Sequence, residues 1–291
     1  MKNNRFVALI LIPSFLLLAL FIVVPIVGSF VFSLFDYNPL RESNIFLGFG
    51  NYTRLMSDTV YAKSLGNTLV FVFVTALVNI ILTLILAQFI SAIKHKWLRN
   101  LFLVCIFLPC VAPLANSAVV WSRSMFPTKG GMLNMIVSAL GGAPINWVGN
   151  PNMIMTSIIL FTIWADIGYN TVLFTAGMEG IPRDFYETAN IDGAGPVVQF
   201  FRVTLPLLGR TFSFVAAMTL ISHFQMFSQF EIMARDGGPS KAGQVLTTYI
   251  YYSGFKAKDM GYASAVSVTL FLFILVVTLI QQRLNRVDWG Y

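Results

Sequence analysis

Long apolar runs separated by short polar breaks dominate this chain. Six of them, at 6–35, 66–93, 101–122, 153–178, 205–233 and 262–282, reach or exceed the ~20 residues that cross a bilayer as a helix. Tilt or kinking absorbs the excess in the longer runs. The pattern predicts an all-α polytopic membrane protein, one transmembrane domain over residues 1–291 with six spanning helices. The first run follows Met1-Lys2-Asn3-Asn4-Arg5 and so imitates a secretory signal, but no small-x-small cleavage site closes it. It reads as a first span.

The break between the fourth and fifth runs, about 181–204, has a pattern of its own. Pro182 and Pro196 each open a short helix at a first-turn position, where the missing N–H costs nothing. In the first of these, Phe185, Tyr186 and Ala189 share one face while Arg183 and Glu187 share another. Gly193 and Gly195 lie between the two, where a tight reversal needs φ values that other residues resist. An amphipathic helix–turn–helix between two spans is a docking surface for a cytosolic partner.

Composition removes the soluble alternatives. With 57% hydrophobic and 11% charged residues and a mean hydropathy of +0.75, the chain is too apolar for a water-soluble domain. A net charge of +7 in a soluble protein would point to nucleic acid. Here Lys and Arg flank apolar runs, where lipid headgroups and topology account for them, and nucleic-acid binding is rejected. Lys2, Arg5, Lys94, Lys96, Arg99, Arg283 and Arg286 fall on one side of the membrane. That places both termini and the 181–204 loop in the cytoplasm. Leu133, Ile136, Val137 and Leu140 predict a short amphipathic helix in an outer loop, and Gly237-Gly238-Pro239 predicts a turn.

Little in the chain could perform catalysis. It has no Gly-rich phosphate loop ending in Gly-Lys-Ser/Thr, and with only His95 and His223 it offers neither a metal cluster nor a nucleophile–His–acid set. No catalytic residue, metal ligand or bound cofactor is expected. Cys105 and Cys110, five apart in one run, fall on different helix faces and read as small buried hydrophobes rather than a disulfide or metal pair.

Polar side chains inside spans are costly unless they face a cavity or another helix. Thr162, Asp166 and Asn170 recur at four-residue spacing in the fourth run, with Trp164 and Tyr169 nearby. Ser222, Gln225 and Gln229 recur at i, i+3, i+7 in the fifth, flanked by His223, Phe227 and Glu231. Carboxylates and amides that bond hydroxyls, beside rings that stack on a pyranose, suit a sugar. The candidate substrate path is Asp166, Asn170, Ser222, Gln225, Phe227 and Gln229. The same residue types also glue membrane helices to one another, and both readings stand. Pro109 and Pro113 predict a kink in the third span, while Gly261, Ser264 and Ser267 predict close helix packing in the last.

The segment Glu187-Thr188-Ala189, three residues, Gly193, nine residues, then Val203-x-Leu205-Pro206 resembles the coupling loop of ATP-driven importer permeases. Thr188 and Val203 are mild departures from that pattern, which usually has Ala and Ile there. Gly48-Phe49-Gly50-Asn51-Tyr52, Asn67-Thr68, Asn146-Trp147, Gly237-Gly238-Pro239 and Tyr249-Ile250-Tyr251 are similar to maltose-type carbohydrate permeases, over essentially the whole chain. The resemblance implies the transmembrane permease subunit of a bacterial ATP-binding-cassette importer for a sugar or oligosaccharide. It also implies a second permease subunit, two cytosolic ATPase subunits carrying ATP and Mg, and an extracytoplasmic solute-binding protein. Phe185, Tyr186, Glu187, Ala189, Asp192 and Gly193 are then the residues expected to engage the ATPase. A polyol or glycerol phosphate is the alternative cargo. An ion-gradient-driven transporter is the alternative class, with Asp166 and His223 as its titratable groups.

Overall fold

A computed structural model describes residues 11–41 and 44–284. The start of the first predicted span, with Lys2 and Arg5, lies outside the described residues, as does Arg286. Among the described residues, four continuous helices are long and apolar enough to cross a membrane: α1 (Leu11–Phe32), α3 (Thr59–Ser91), α7 (Ile154–Glu179) and α13 (Met260–Leu284). Two bent pairs complete the set. Helix α4 (Lys96–Val111) meets α5 (Leu114–Met125) at 90°, and α9 (Pro196–Leu207) meets the Gly209–Met233 segment at 72°. That segment is α10 (Gly209–Phe224) followed by α11 (Ser228–Met233). The span count is therefore four, or six with each bent pair as one span.

The first bend has a local cause. Pro109 lies inside α4 and Pro113 caps α5, so the ladder loses donors at both places. Ala112, immediately before Pro113, is pushed to extended backbone at φ −72°, ψ 135°. The predicted kink is thus a full break. Neither cysteine beside it is the buried hydrophobe expected: Cys105 is exposed, and half-buried Cys110 gives its thiol to the Ala165 carbonyl at 3.0 Å. At the second bend Leu205–Leu207 continues the preceding helix and a new helix starts at Gly209.

The described chain groups into two compact units. The described residues of the first are 11–41, 44–62 and 246–272. After α1 it forms a two-stranded antiparallel ribbon, β1 (Phe35–Asp36) with β2 (Ile45–Phe46), and then α2 (Gly50–Ser57). Buried Asn51 pins this turn by donating to the Ser33 and Phe35 carbonyls, both at 2.9 Å, and Tyr52 shares a hydrogen bond of 2.7 Å with Ser33. Gly261 passes so near the ribbon that a Cβ there would lie 2.0 Å from the Phe35 oxygen. The close approach at this position is thus to the ribbon, whereas the sequence predicted packing against another helix. In α12 (Leu246–Tyr251) Tyr249, and in α13 Tyr262, both donate hydroxyls to Asp58, while Arg54 pairs with Asp259 at 2.6 Å and lies 4.0 Å over the Tyr262 ring.

Burial opposes ionisation of Asp58, but the two tyrosine hydroxyls and the Tyr61 and Val60 amides outweigh it and hold the carboxyl below its usual range. Burial, with the Asp58 carboxylate, pushes Tyr249 up to about 12, so it remains a donor at neutral pH. A carboxyl depressed in the folded state stabilises above its unfolded pKa of about 4, and that contribution is lost as pH falls through the folded value. Thermal stability of the purified complex is therefore expected to fall on acidification below about pH 4, and less so in Asp58→Asn. Parallel acid profiles for the two proteins would dismiss this cluster as a source of acid lability.

The described residues of the second unit are 63–245 and 273–284. Helix α7 is its axis, with Ile154, Ile158, Phe161, Ala165 and Phe174 buried. Gly168 lets α4 cross α7 at backbone contact, since a Cβ there would lie 2.3 Å from the Ile106 oxygen. Leu84, Ala87, Phe174, Met178, Ile181, Leu208 and Val215 form a core beside the 181–204 loop. The short helix predicted from Leu133, Ile136, Val137 and Leu140 is present as α6 (Met132–Ala139), with Leu140 as its C-cap. Its buried Asn134 accepts from the Ile145 amide (2.9 Å) and the Trp147 indole (3.2 Å) and donates to the Ile145 carbonyl (2.8 Å). The Gly237-Gly238-Pro239 turn has φ of +89° at Gly237 and +68° at Gly238. Asn67 holds its far side by donating to the Lys241 and Gln244 carbonyls at 3.1 and 2.8 Å.

Candidate translocation cavity and coupling surface

A cavity of 480 Å³ opens between α4, α5, α7 and α10. Its polar wall carries Asp166, Asn170, Thr219, Ser222 and His223; Tyr169 is its aromatic side chain, and Pro109, Leu114, Met218 and Met226 make it apolar elsewhere. Asp166 Oδ2 stands 3.2 Å from His223 Nε2. The histidine is almost wholly buried, whereas 30% of the Asp166 side chain remains exposed. Asn170 donates to Asn79 Oδ1 at 2.7 Å and to Thr219 Oγ1 at 3.0 Å. One asparagine therefore ties α3, α7 and α10 together at the cavity wall, so the gluing and lining roles meet in the same residue. Thr162 points elsewhere: it is fully buried and bonds the Ile158 carbonyl in its own helix.

The Ser222, Gln225, Gln229 stripe does not survive as one helical face. Helix α10 ends at Phe224, Gln225 caps it at φ −97°, ψ 0°, and Phe227 leaves helical geometry before α11 begins. A periodicity argument assumes an unbroken helix, and here two polar residues straddle a break. Ser222 lines the cavity; Gln225, Phe227 and Gln229 are not among its lining residues. Gln225 is exposed and Phe227 half-buried, while Gln229 is fully buried in α11. Tyr169 and Thr219 belong to the wall although the polar stripes omitted them. Tyr169 is three residues from Asp166 and Thr219 three from Ser222, so extending each stripe by one helical turn would have found both.

The 181–204 region forms α8 (Arg183–Ile191), a turn, and α9. Pro182 precedes α8 as its cap, and Pro196 holds the first position of α9. Gly193 has φ +73°, whereas Gly195 is ordinary extended backbone at φ −70°. The Gly193 amide bonds the Asn190 carbonyl (3.0 Å) and the Ala194 amide reaches back to Ala189 (2.9 Å). These are the two bonds of a Schellman termination, which requires a left-handed residue at that glycine. Gln199 closes the turn by donating to Asn190 Oδ1 (2.6 Å) and the Ala194 carbonyl (2.8 Å).

Tyr186 faces inward, packs on the core around Phe174 and Leu208, and shares a hydrogen bond of 3.0 Å with buried Thr204. Ala189 is half-buried, whereas Phe185, Glu187, Asp192 and Gly193 are exposed. Phe185 also borders a small cavity of 210 Å³ with Arg202, Val203, Pro206 and Leu207. Arg99 pairs with Glu179 at 2.8 Å, linking the start of α4 to the end of α7 just before this motif.

Residues 79–287 match the family of binding-protein-dependent transport system inner membrane components, a stretch that covers both the cavity and the helix–turn–helix. The chain belongs to this family. The permease is 32% identical over 94% of its length, and 86% of the other chain, to the arabinooligosaccharides transport system permease protein AraP of Bacillus subtilis (strain 168). It is likewise 32% identical to the lactose transport system permease protein LacF of Rhizobium radiobacter, over 92% of this chain and 90% of that one. Its identity to the sn-glycerol-3-phosphate transport system permease protein UgpA of Yersinia pestis is 31%, over 94% and 92% of the two chains. Its fold is that of a chain in the crystal structure of a bacterial alginate ABC transporter in complex with alginate pentasaccharide-bound periplasmic protein. That superposition has a TM-score of 0.86 at 21% identity and covers 98% of this chain and 95% of that one.

Proposed function

We propose that this permease contributes half of a translocation path for a sugar or oligosaccharide and transmits to it the closure of two cytosolic ATPase subunits, which hold the ATP and Mg. A second permease subunit and an extracytoplasmic solute-binding protein complete the importer, and the chain itself catalyses no reaction. The observation that carries this reading is the helix–turn–helix of α8 and α9, its turn tied by hydrogen bonds from Gly193, Ala194 and Gln199. It presents Phe185, Glu187 and Asp192 outward while Tyr186 anchors it to the core beneath. Displacement of α8 is passed through Tyr186 and Thr204 into the α9–α10 bend, and α10 carries Ser222 and His223 of the cavity wall. A partner that grips the loop in two arrangements can thereby bias two arrangements of the cavity.

Sugar cargo fits the wall chemistry, since Asp166 and Ser222 can bond hydroxyls and Tyr169 offers a stacking face. The relatives that carry arabinooligosaccharides and lactose by name support the same choice. The deciding test is energisation. In proteoliposomes holding the whole importer, uptake of the sugar bound by its solute-binding protein should require ATP and survive collapse of the proton gradient. Uptake that follows the proton gradient without ATP would transfer the chain to the ion-driven class.

The same reading fixes the topology, with the 181–204 loop and both termini in the cytoplasm. Cysteines placed at Ile191 and Met56, which are 86% and 89% exposed, are the reporters. An impermeant thiol reagent applied to intact cells should label position 56 and leave position 191 unlabelled. Labelling of position 191 from outside would invert the assignment.

A further inference from the structure

The cavity wall has a definite sign of charge. Asp166 is the carboxylate in it, partly exposed, with its Oδ2 at 3.2 Å from His223. No Lys or Arg lines the cavity. None occurs in residues 64–93, 100–122, 154–182 or 211–234, the apolar stretches of the second unit. The basic side chain in the lining is His223, almost wholly buried and engaged with Asp166. Moreover, the imidazole is buried behind the carboxylate, so Asp166 is the group a passing solute meets.

A phosphate or carboxylate entering this wall would give up its hydration without gaining a counter-ion, which is the costly arrangement for a charge in an apolar surround. A saccharide hydroxyl loses little, because it can donate to the exposed carboxylate or to the Ser222 oxygen, whose own proton goes to the Thr219 carbonyl at 3.0 Å. Resting on the reading of this cavity as the cargo path, we propose that Asp166 sets its potential negative and makes the permease selective for uncharged saccharides over phosphorylated or uronate-bearing ones. Narrow apolar walls focus the field of a single charge, so one residue suffices.

The test reads the potential directly and does not depend on knowing the sugar. A single cysteine is placed at Ser222, a lining residue, with Cys105→Ser and Cys110→Ser, in the assembled importer whose other subunits lack cysteine. In nanodiscs, both faces are open to three methanethiosulfonates of similar size: trimethylammonium-ethyl (cationic), hydroxyethyl (neutral) and sulfonatoethyl (anionic). Rates are normalised to a free thiol in solution, which removes the intrinsic reactivity of each reagent, and the ratio between reagents cancels any effect of the site on thiol ionisation.

The cationic reagent is expected to react at least about tenfold faster than the anionic one, with the neutral reagent between them. That ratio should collapse towards unity in Asp166→Asn and persist in Asp166→Glu, which keeps the charge. A normalised ratio below about ten in the unmodified wall overturns the proposal, whatever the variants do. So does a ratio that Asp166→Asn leaves unchanged. Failure of all three reagents to reach the cysteine is a different result. It removes the cavity from the aqueous path, overturning the path reading and the charge inference together.

Discussion

Gly193→Val is expected to abolish uptake while leaving the solute-binding protein's affinity for free sugar unchanged. The glycine sits at φ +73° and a Cβ added there would have no atom within 4 Å, so the substitution meets no clash and its whole effect is backbone strain. A β-branched residue in left-handed geometry costs about 1–2 kcal/mol, and relief comes from opening the turn that aims α8. The Asn190 and Ala189 carbonyls would then lose their Schellman partners, and α8 would point away from its ATPase. Glu187→Lys attacks the same contact from another side. Its side chain is exposed on α8, and under the proposed docking to a basic ATPase groove its reversal would replace attraction by repulsion, a change of tenfold in docking affinity for each ~1.4 kcal/mol lost. Both variants are read by ATPase co-purification with the membrane subunits and by sugar-stimulated ATP hydrolysis. If both retain wild-type ATPase binding and wild-type uptake, the helix–turn–helix is not the mechanical link.

Much of this was legible in the chain because it depends on local chemistry. Pro182, Gly193 and Pro196 dictate a turn between two helices, and that turn is present with its left-handed residue where a glycine permits it. Pro109 and Pro113 foretold the break in the third apolar run, although not that it would reach 90°. What periodicity could not reveal was the interruption after Phe224, where no proline or glycine marks the end of α10. Extending a 3.6-residue period through it joined Ser222 to Gln229, which the structure separates onto two helices. The Asp166–His223 contact was equally hidden, because a pairing across 57 residues depends on how α7 and α10 pack. Glycines divide along the same line. Gly193 announces itself by the turn around it, but Gly168 looks like any small residue in an apolar run until α4 is seen lying against it.

Gly168→Val should be severely damaging to the second unit. The added Cβ would lie 2.3 Å from the Ile106 oxygen, 2.7 Å from the Phe107 Cα and 2.9 Å from the Ile106 carbonyl carbon. All three are backbone atoms, so no rotamer change relieves the overlap and α4 must move away from α7. Overpacking a tight contact costs about 1–3 kcal/mol when side chains can adjust, and backbone against backbone leaves less room for adjustment. The displaced helix carries Pro109 and Cys110 of the cavity wall, and Gly168 itself lies between Asp166 and Asn170, so the cavity distorts along with the packing. A lower yield of assembled importer, a midpoint of thermal unfolding reduced by several degrees and loss of uptake are expected together. Gly66→Ala is the matched control: that glycine is also helical, but nothing lies within 4 Å of its added Cβ. Stability there should be unchanged or higher by up to about 1 kcal/mol, the ordinary helix preference for alanine over glycine. Equal behaviour of the two variants would mean that α4 does not cross α7 at Gly168, and the cavity wall would have to be drawn again.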